Sequence, residues 1–392
     1  MQRNNLSPVH AGPAAPQRPN MTLPRRFPRV FRSPALSVIV AFLAASFFGA
    51  SAARGEPPKT LFDAFSEIVY DMEIKDVPAP PDWYDPAAKP IFRFAQITDI
   101  HMHDALPPYL IEALKFIDSE VHPAFVAITG DNAGNSAVER QQFLKNLLDK
   151  NLKAPCYIIR GDNWARNFSK VFGSTRYAFE CGGIRFVFTG LDHDDEGHGI
   201  GYFAEDTWAW MKKEFQPETD MPVILLMHEN VWPPDFSDAG KMDRILEASP
   251  CVAATLTGHL HPDVEFKFGR VKHICAPKFG QTGRYPFKVY EVHERHIAAR
   301  SIEWQDGRFR IVEKYQKIDL PFPIKSAGET KVEGYRELPP RETSFDLRAE
   351  DYMPTIMVQM SVFAQRTGML EKYLEVMSAA KRKPPKKTEN PK

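Results

Sequence analysis

From Ile91 onward the chain alternates between short apolar runs and stretches whose apolar residues recur at helical spacing. Ile91 to Ile97, Ala124 to Thr129 and Cys156 to Ile159 predict strands, while Tyr109 to Ile117 and Val138 to Leu148 between them predict helices. Parallel neighbours in a sheet need a long crossover, so this alternation points to βαβ units and a largely parallel sheet.

The second half has a different rhythm. Tyr177 to Phe188 predicts a hairpin turning at Gly182-Gly183, and Ala204 to Phe215 an amphipathic helix with Trp208 and Met211 on one side. Strands are predicted at Val223 to Met227 and Val252 to Thr257. Five more follow at Val264 to Phe268, Val271 to Cys275, Phe287 to Val292, Ala298 to Trp304 and Arg308 to Val312. The last five are short and closely spaced, which suggests an antiparallel sheet packed against the first. The predicted fold class is α/β: a two-sheet mixed β sandwich flanked by helices.

Outside that block the patterns change. Apolar residues at helical spacing from Leu61 to Ile74 and a proline-rich run from Pro78 to Pro90 predict a short helix and a linker over residues 53–90. The sandwich domain is placed at 91–317 and an extension at 318–380. The extension is proline-punctuated until about Tyr352, then predicts one long helix from Thr355 to Ala380 that contains Gly368. Residues 381–392 form a basic tail, expected to be solvated and disordered.

Residues 1–52 hold six arginines and no acid, and an apolar run from Ala35 to Ala50 ends in Ala50-Ser51-Ala52. That order predicts an export signal cleaved near Ala53, and hence a secreted or periplasmic protein. The apolar run falls short of the roughly 20 residues a spanning helix needs, so the mature form is expected to have no stable membrane span. The whole chain has 50 basic and 50 acidic residues; without those six arginines, 44 basic face 50 acidic. Such a surface offers no general reason to bind a nucleic acid. Cys156, Cys181, Cys251 and Cys275 show no C-x-x-C spacing, which excludes a zinc ribbon. Disulfides and buried free thiols both remain open for them.

The residues that carry chemistry stand where apolar runs stop. Asp99 and His101 follow the first strand and, two residues apart, can lean toward one point. Gly130-Asp131 ends the second strand and Gly161-Asp162-Asn163 the third. His228 ends the run at Leu226-Met227, and Gly258-His259-Leu260-His261 closes Val252 to Thr257. Ligands at the ends of successive strands converge on the crevice beyond the sheet. Three aspartates and four histidines there form a mixed oxygen and nitrogen shell, suited to zinc, iron or manganese rather than calcium. A carboxylate can hold two cations about 3.5 to 4 Å apart, the spacing used for in-line attack at phosphorus.

Taken together, these five motifs resemble the calcineurin-like metallophosphoesterase superfamily over about Ile91 to Val312. The resemblance implies two divalent or trivalent transition-metal ions. Asp99, His101 and His261 would hold the first, His228 and His259 the second, and Asp131 would bridge them. It further implies hydrolysis of a small phosphate mono- or diester by a hydroxide held between the metals. Ala276-Pro277-Lys278-Phe279-Gly280 and Gly283-Arg284-Tyr285-Pro286-Phe287 look similar to secreted bacterial and cyclic-nucleotide-phosphodiesterase-like branches.

One motif departs from the family. Where Gly-Asn-His is usual, this chain has Gly161-Asp162-Asn163. Asp162 replaces a neutral amide ligand with a carboxylate. Asn163 replaces the histidine that would orient substrate and protonate the leaving oxygen, which an amide cannot do. His103 is the first candidate for that proton, with His193 and His198 behind it; Arg160 and Arg284 are candidates for a phosphate contact. The alternative function is a non-catalytic module that binds metal and phosphate and has lost its acid at Asn163.

Overall fold

The computed structural model describes residues 69–102, 108–135, 137–163, 166–192, 202–231, 236, 238–280, 283–324, 330–340 and 349–374. The predicted export signal, the basic tail, most of the predicted helix from Leu61 to Ile74, and His103, His193 and His198 lie outside them.

Three strands open the domain: β1 (Phe92–Ile97), β2 (Phe125–Thr129) and β3 (Cys156–Ile159). They pair in parallel and are joined by α1 (Leu110–Phe116), which continues into a π-helical turn at Ile117–Val121, and by α2 (Val138–Asn151). The hairpin β4 (Arg176–Cys181) and β5 (Ile184–Thr189) turns at Gly182-Gly183, both at positive φ, the conformation a two-residue hairpin turn requires. Then come β6 (Val223–Leu226), β7 (Val252–Thr257), β8 (Val264–Phe268), β9 (Val271–Cys275), β10 (Phe287–Val292), β11 (His296–Gln305), β12 (Arg308–Asp319) and β13 (Val332–Glu337). The remaining helices are α3 (Phe168–Phe172), α4 (Glu205–Glu214), α5 (Ala239–Glu247) and α6 (Ala349–Arg366).

Two mixed sheets result. One has the order β12-β11-β10-β1-β2-β3, the other β13-β4-β5-β6-β7-β9-β8. The expectation of a separate antiparallel sheet from the last five strands is therefore corrected. β8 and β9 join the second sheet, with β9 parallel to β7, whereas β10, β11 and β12 join the first through β10 antiparallel to β1. Close spacing tells that strands form hairpins, not which sheet receives each hairpin. The predicted long helix is corrected too: α6 stops at Arg366, and Gly368 at φ +76° lets Met369 N–H bond back to Ala364 carbonyl, a helix-ending turn. β13 pairs with β4 at a stretch where the proline pattern predicted no strand.

Side chains alternate faces along each strand, and that alternation divides the core. Phe92 and Phe94 of β1 point between the sheets with Phe186 and Phe188 of β5, whereas Ala95 and Ile97 face the helical layer of α1 and α2. Phe94 stacks on Phe125 and on Tyr290, with centroids 5.0 and 4.5 Å apart, so neighbouring strands share one aromatic column. The far face of the second sheet packs Val187, Val223 and Leu225 against Trp208, Met211, Met242 and Phe363. The four cysteines are free thiols.

Two buried polar devices tie the layers together close to the strand ends that carry the motifs. Gln96 of β1 donates to Thr129 Oγ1 and to the carbonyl of Thr257 in the other sheet, and accepts from Tyr290. Lys288 of β10, fully buried, lies 2.6 and 2.8 Å from the two carboxylate oxygens of Asp263 and also donates to Ser301. Removing one member of such a pair strands the other charge without water. Lys288→Met is expected to lower unfolding free energy by about 3 to 5 kcal/mol. Chemical denaturation measures it, and Lys288→Met with Asp263→Leu should recover much of the loss. A single variant as stable as the parent would show the pair to be inert.

Candidate metal centre

Each ligand candidate lies just past a strand, and the fold gathers them from both sheets. Asp99 and His101 follow β1, Asp131 follows β2 and Asp162 follows β3, all in the first sheet. His228 follows β6, and His259 and His261 follow β7, in the second. The backbone there is bent sharply. Asp99, His101, Asp131, His259 and His261 all have φ between +47° and +76°, half of the ten non-glycine residues at positive φ among the described residues. Each such residue costs on the order of 1 to 3 kcal/mol, and it persists where surrounding structure dictates it.

What dictates it can be seen at the glycines. A Cβ on Gly130, at φ +94°, would lie 2.4 Å from His228 Nδ1; one on Gly258 would lie 1.9 Å from Thr98 Oγ1 and 2.6 Å from Asp99 Oδ2. The ligand loops are thus packed against each other's side chains, with no room for a methyl group between them.

Among the described residues, three sets of ligand atoms lie close enough together to hold a cation: the triplets Asp99 with His101 and His261, and Asp162 with His228 and His259, and a third set, Asp99 with Asp131 and His228, that links them. In the first, His101 Nε2 and His261 Nε2 lie 3.6 and 3.4 Å from Asp99 Oδ1. In the second, His228 Nε2 and His259 Nδ1 lie 3.1 and 3.2 Å from Asp162 Oδ1. Asp131 stands between them, its Oδ2 3.2 Å from His101 Nε2 and its Oδ1 3.4 Å from His228 Nε2. Two atoms each about 2.1 Å from one ion are about 3.0 to 3.4 Å apart at octahedral or tetrahedral angles. Three of the four separations within the triplets fall in that range, and His101 Nε2 to Asp99 Oδ1, at 3.6 Å, is slightly longer. Asp99 Oδ1 is buried and accepts no hydrogen bond among the described residues, as expected of an atom reserved for a cation.

Outer contacts fix which atom each ligand presents. Thr98 Oγ1 and the His259 backbone N–H both bond to Asp99 Oδ2, which leaves Oδ1 facing His101 and His261. The Thr129 carbonyl lies 2.7 Å from His228 Nδ1 and takes its proton, so Nε2 is turned inward as the ligating nitrogen. Asn230 bridges the Gly258 carbonyl and the Thr257 hydroxyl, securing the loop that carries His259 and His261.

Electrostatics show how strongly the site wants positive charge. Burial pushes the Asp99 carboxyl up, but the charge of His228 and the nearby His101 and His261 imidazoles hold it well below the usual carboxylate range. Burial likewise opposes His259 and His228 at Asp162, and the histidines win. Burial pulls the His228 imidazole down, yet Asp131 and Asp99 push it up to about 10. His101 is raised for the same reason, by Asp131 and Asp99 against burial. Without cations, protons on the imidazoles neutralise the carboxylates, and cation uptake must displace them.

The remaining sequence candidates divide. Asn163 is in the centre: its backbone N–H bonds to Asp131 Oδ1 at 3.0 Å, and its amide donates to Asp131 Oδ2 at 2.7 Å and to Asp162 Oδ1 at 3.2 Å. It orients the central carboxylate. Arg160 is buried after β3, donates to the Leu191 carbonyl, and lines a small cavity with Asn132, Gln141 and Asn163. Arg284 is 59% exposed and pairs with Glu303 at 3.7 Å. Sequence reasoning gave no role to Lys278, although it quoted the run that contains it; the Lys278 Nζ lies 3.5 Å from His101 Nδ1.

The profile of the family described as Calcineurin-like phosphoesterase matches residues 92–263, a span that includes all seven ligand candidates. A 3',5'-cyclic adenosine monophosphate phosphodiesterase of Escherichia coli is 24% identical over 213 residues, covering 47% of this chain and 75% of that protein. Among solved structures, a dimetal phosphatase from Danio rerio is 13% identical with a TM-score of 0.46, covering 59% of this chain and 100% of that one. A purple acid phosphatase from yellow lupin is 12% identical with a TM-score of 0.41, covering 60% and 55%. The sequence match carries the comparison: over residues 92–263, less than half of the chain, it is similar to the calcineurin-like phosphoesterases, and the matches support a metal-dependent phosphoesterase.

Proposed function

We propose that the chain hydrolyses small phosphate mono- or diesters at a pair of transition-metal cations of the iron, manganese or zinc kind. The observation that carries this reading is Asp131, whose two carboxylate oxygens face different triplets. When bound, such cations supply a hydroxide nucleophile at neutral pH and offset charge that builds on the phosphoryl oxygens. The chain's own work is to hold three carboxylates and four imidazoles in fixed directions, through Thr98, Thr129, Asn163 and Asn230. The relationship to a cyclic-nucleotide phosphodiesterase makes 3',5'-cyclic AMP one substrate to try beside aryl mono- and diesters.

The purified chain, reconstituted with each metal in turn, is expected to retain close to two ions and to turn over at least one of these esters. Elemental analysis giving one ion or none would sink the two-cation reading. We also propose export through the arginine-rich start: N-terminal sequencing of exported material should begin near Ala53, and an intact Met1 would refute cleavage.

A further inference from the structure

Residues 276–280 form a strap along the first-triplet side of the metal centre. Ala276 N–H bonds to the Thr257 carbonyl. The next hydrogen bonds are made by three consecutive residues, Lys278 N–H to His261, Phe279 N–H to Thr98 and Gly280 N–H to Asp99, at 2.8, 3.1 and 3.1 Å. A Cβ on Gly280 would stand 2.5 Å from the Ile100 carbonyl, so the strap lies directly on the first ligand loop. The Cα of Lys278 is thereby fixed relative to Asp99 and His261, and its half-buried side chain reaches His101.

The contact with His101 cannot be the purpose of that ammonium in a loaded site. With His101 Nε2 given to a cation, the neutral ring carries its proton on Nδ1, and a donor then faces a donor. Lys278 makes no ion pair within 4.0 Å among the described residues, and the carboxylates whose charge acts on it, Asp99 and Asp131, are the ones that cations would engage. A phosphate ester bound at the cations would bring an anionic acceptor, with non-bridging oxygens that suit an ammonium as a point charge.

We propose that Lys278 is a substrate-binding residue, contacting a non-bridging oxygen of the phosphoryl group at the Asp99, His101 and His261 side of the site. This rests on the phosphoesterase reading above. A fixed positive charge beside the first triplet favours the more highly charged ligand, so Lys278 selects for phosphate groups that carry two negative charges over diesters that carry one.

The test uses the full metal-reconstituted chain and inorganic phosphate as probe, with binding followed by calorimetry and metal content by elemental analysis. Lys278→Met is expected to keep the parent's metal content and to weaken phosphate binding about tenfold, the loss of one charge-assisted contact. KM for an aryl monoester should rise more than KM for the matching diester, and Lys278→Arg should recover part of both. Phosphate affinity within twofold of the parent, with metal retained, would overturn the assignment. So would loss of metal from Lys278→Met, since the lysine would then be supporting His101. A parent that binds phosphate through Lys278 but hydrolyses no ester would leave this inference standing and remove the hydrolytic reading; a parent that binds no phosphate removes the inference.

Discussion

Asp131→Asn is expected to lose more than about 100-fold in kcat/KM, because even partners outside the ligand shell of metal enzymes cost 10 to 100-fold. The carboxylate lies within reach of His101 on one side and His228 on the other, and it accepts two hydrogen bonds from Asn163. An amide in its place offers one oxygen and one N–H group, so one triplet would meet a donor where a ligand should be. Metal content should fall with activity. Cys156→Ser is the matched control: this thiol sits in β3, with its pKa pushed up to about 12 by burial, and packs beside the helical layer. Its replacement should change activity by less than twofold. Equal losses in two folded variants would mean that the reaction happens elsewhere.

The second expectation concerns the proton for the leaving oxygen. Asn163 holds Asp131 and cannot act as an acid. Without another donor, a poor leaving group must depart as an unassisted anion. Turnover should then depend steeply on leaving-group acidity, with aryl esters strongly favoured over alkyl ones. General-acid help is worth roughly 10² to 10⁴ in rate, so Asn163→His should speed alkyl esters by a large part of that range. A parent enzyme with shallow dependence that becomes steep in His103→Ala would give the role to His103. Shallow dependence that no histidine change alters would remove the argument for a missing acid.

The strands and their terminal residues were legible because both signals are local. Apolar runs such as Val252 to Thr257 declare a strand, and the Gly258-His259-Leu260-His261 that follows declares a ligand loop. Where each hairpin docks was not legible, because β8 and β10 have similar apolar patterns and differ only in which neighbour they meet. β13 escaped notice since its exposed residues, Glu333, Gly334 and Tyr335, lack the alternation that burial imposes on inner strands. The left-handed backbone of Asp99, Asp131 and His261 has no signal in a single sequence either, being forced by contacts such as Gly130 against His228. Lys278 was quoted but given no role, because its meaning depends on hydrogen bonds to residues 17 to 181 positions away.

The partition of ligands between the sheets has a mechanical side. The first triplet draws Asp99 and His101 from one sheet and His261 from the other; the second draws Asp162 from one and His228 and His259 from the other. Each cation would therefore act as a rivet through both layers, at the end of the sandwich where Gln96 already reaches across to Thr257. A slide of one layer over the other would pull both rivets off centre at once. On the two-cation reading proposed above, the spacing of the cations and the alignment of the two layers would be one quantity, tied to the aromatic filling of Phe94, Phe125 and Phe186 between the layers.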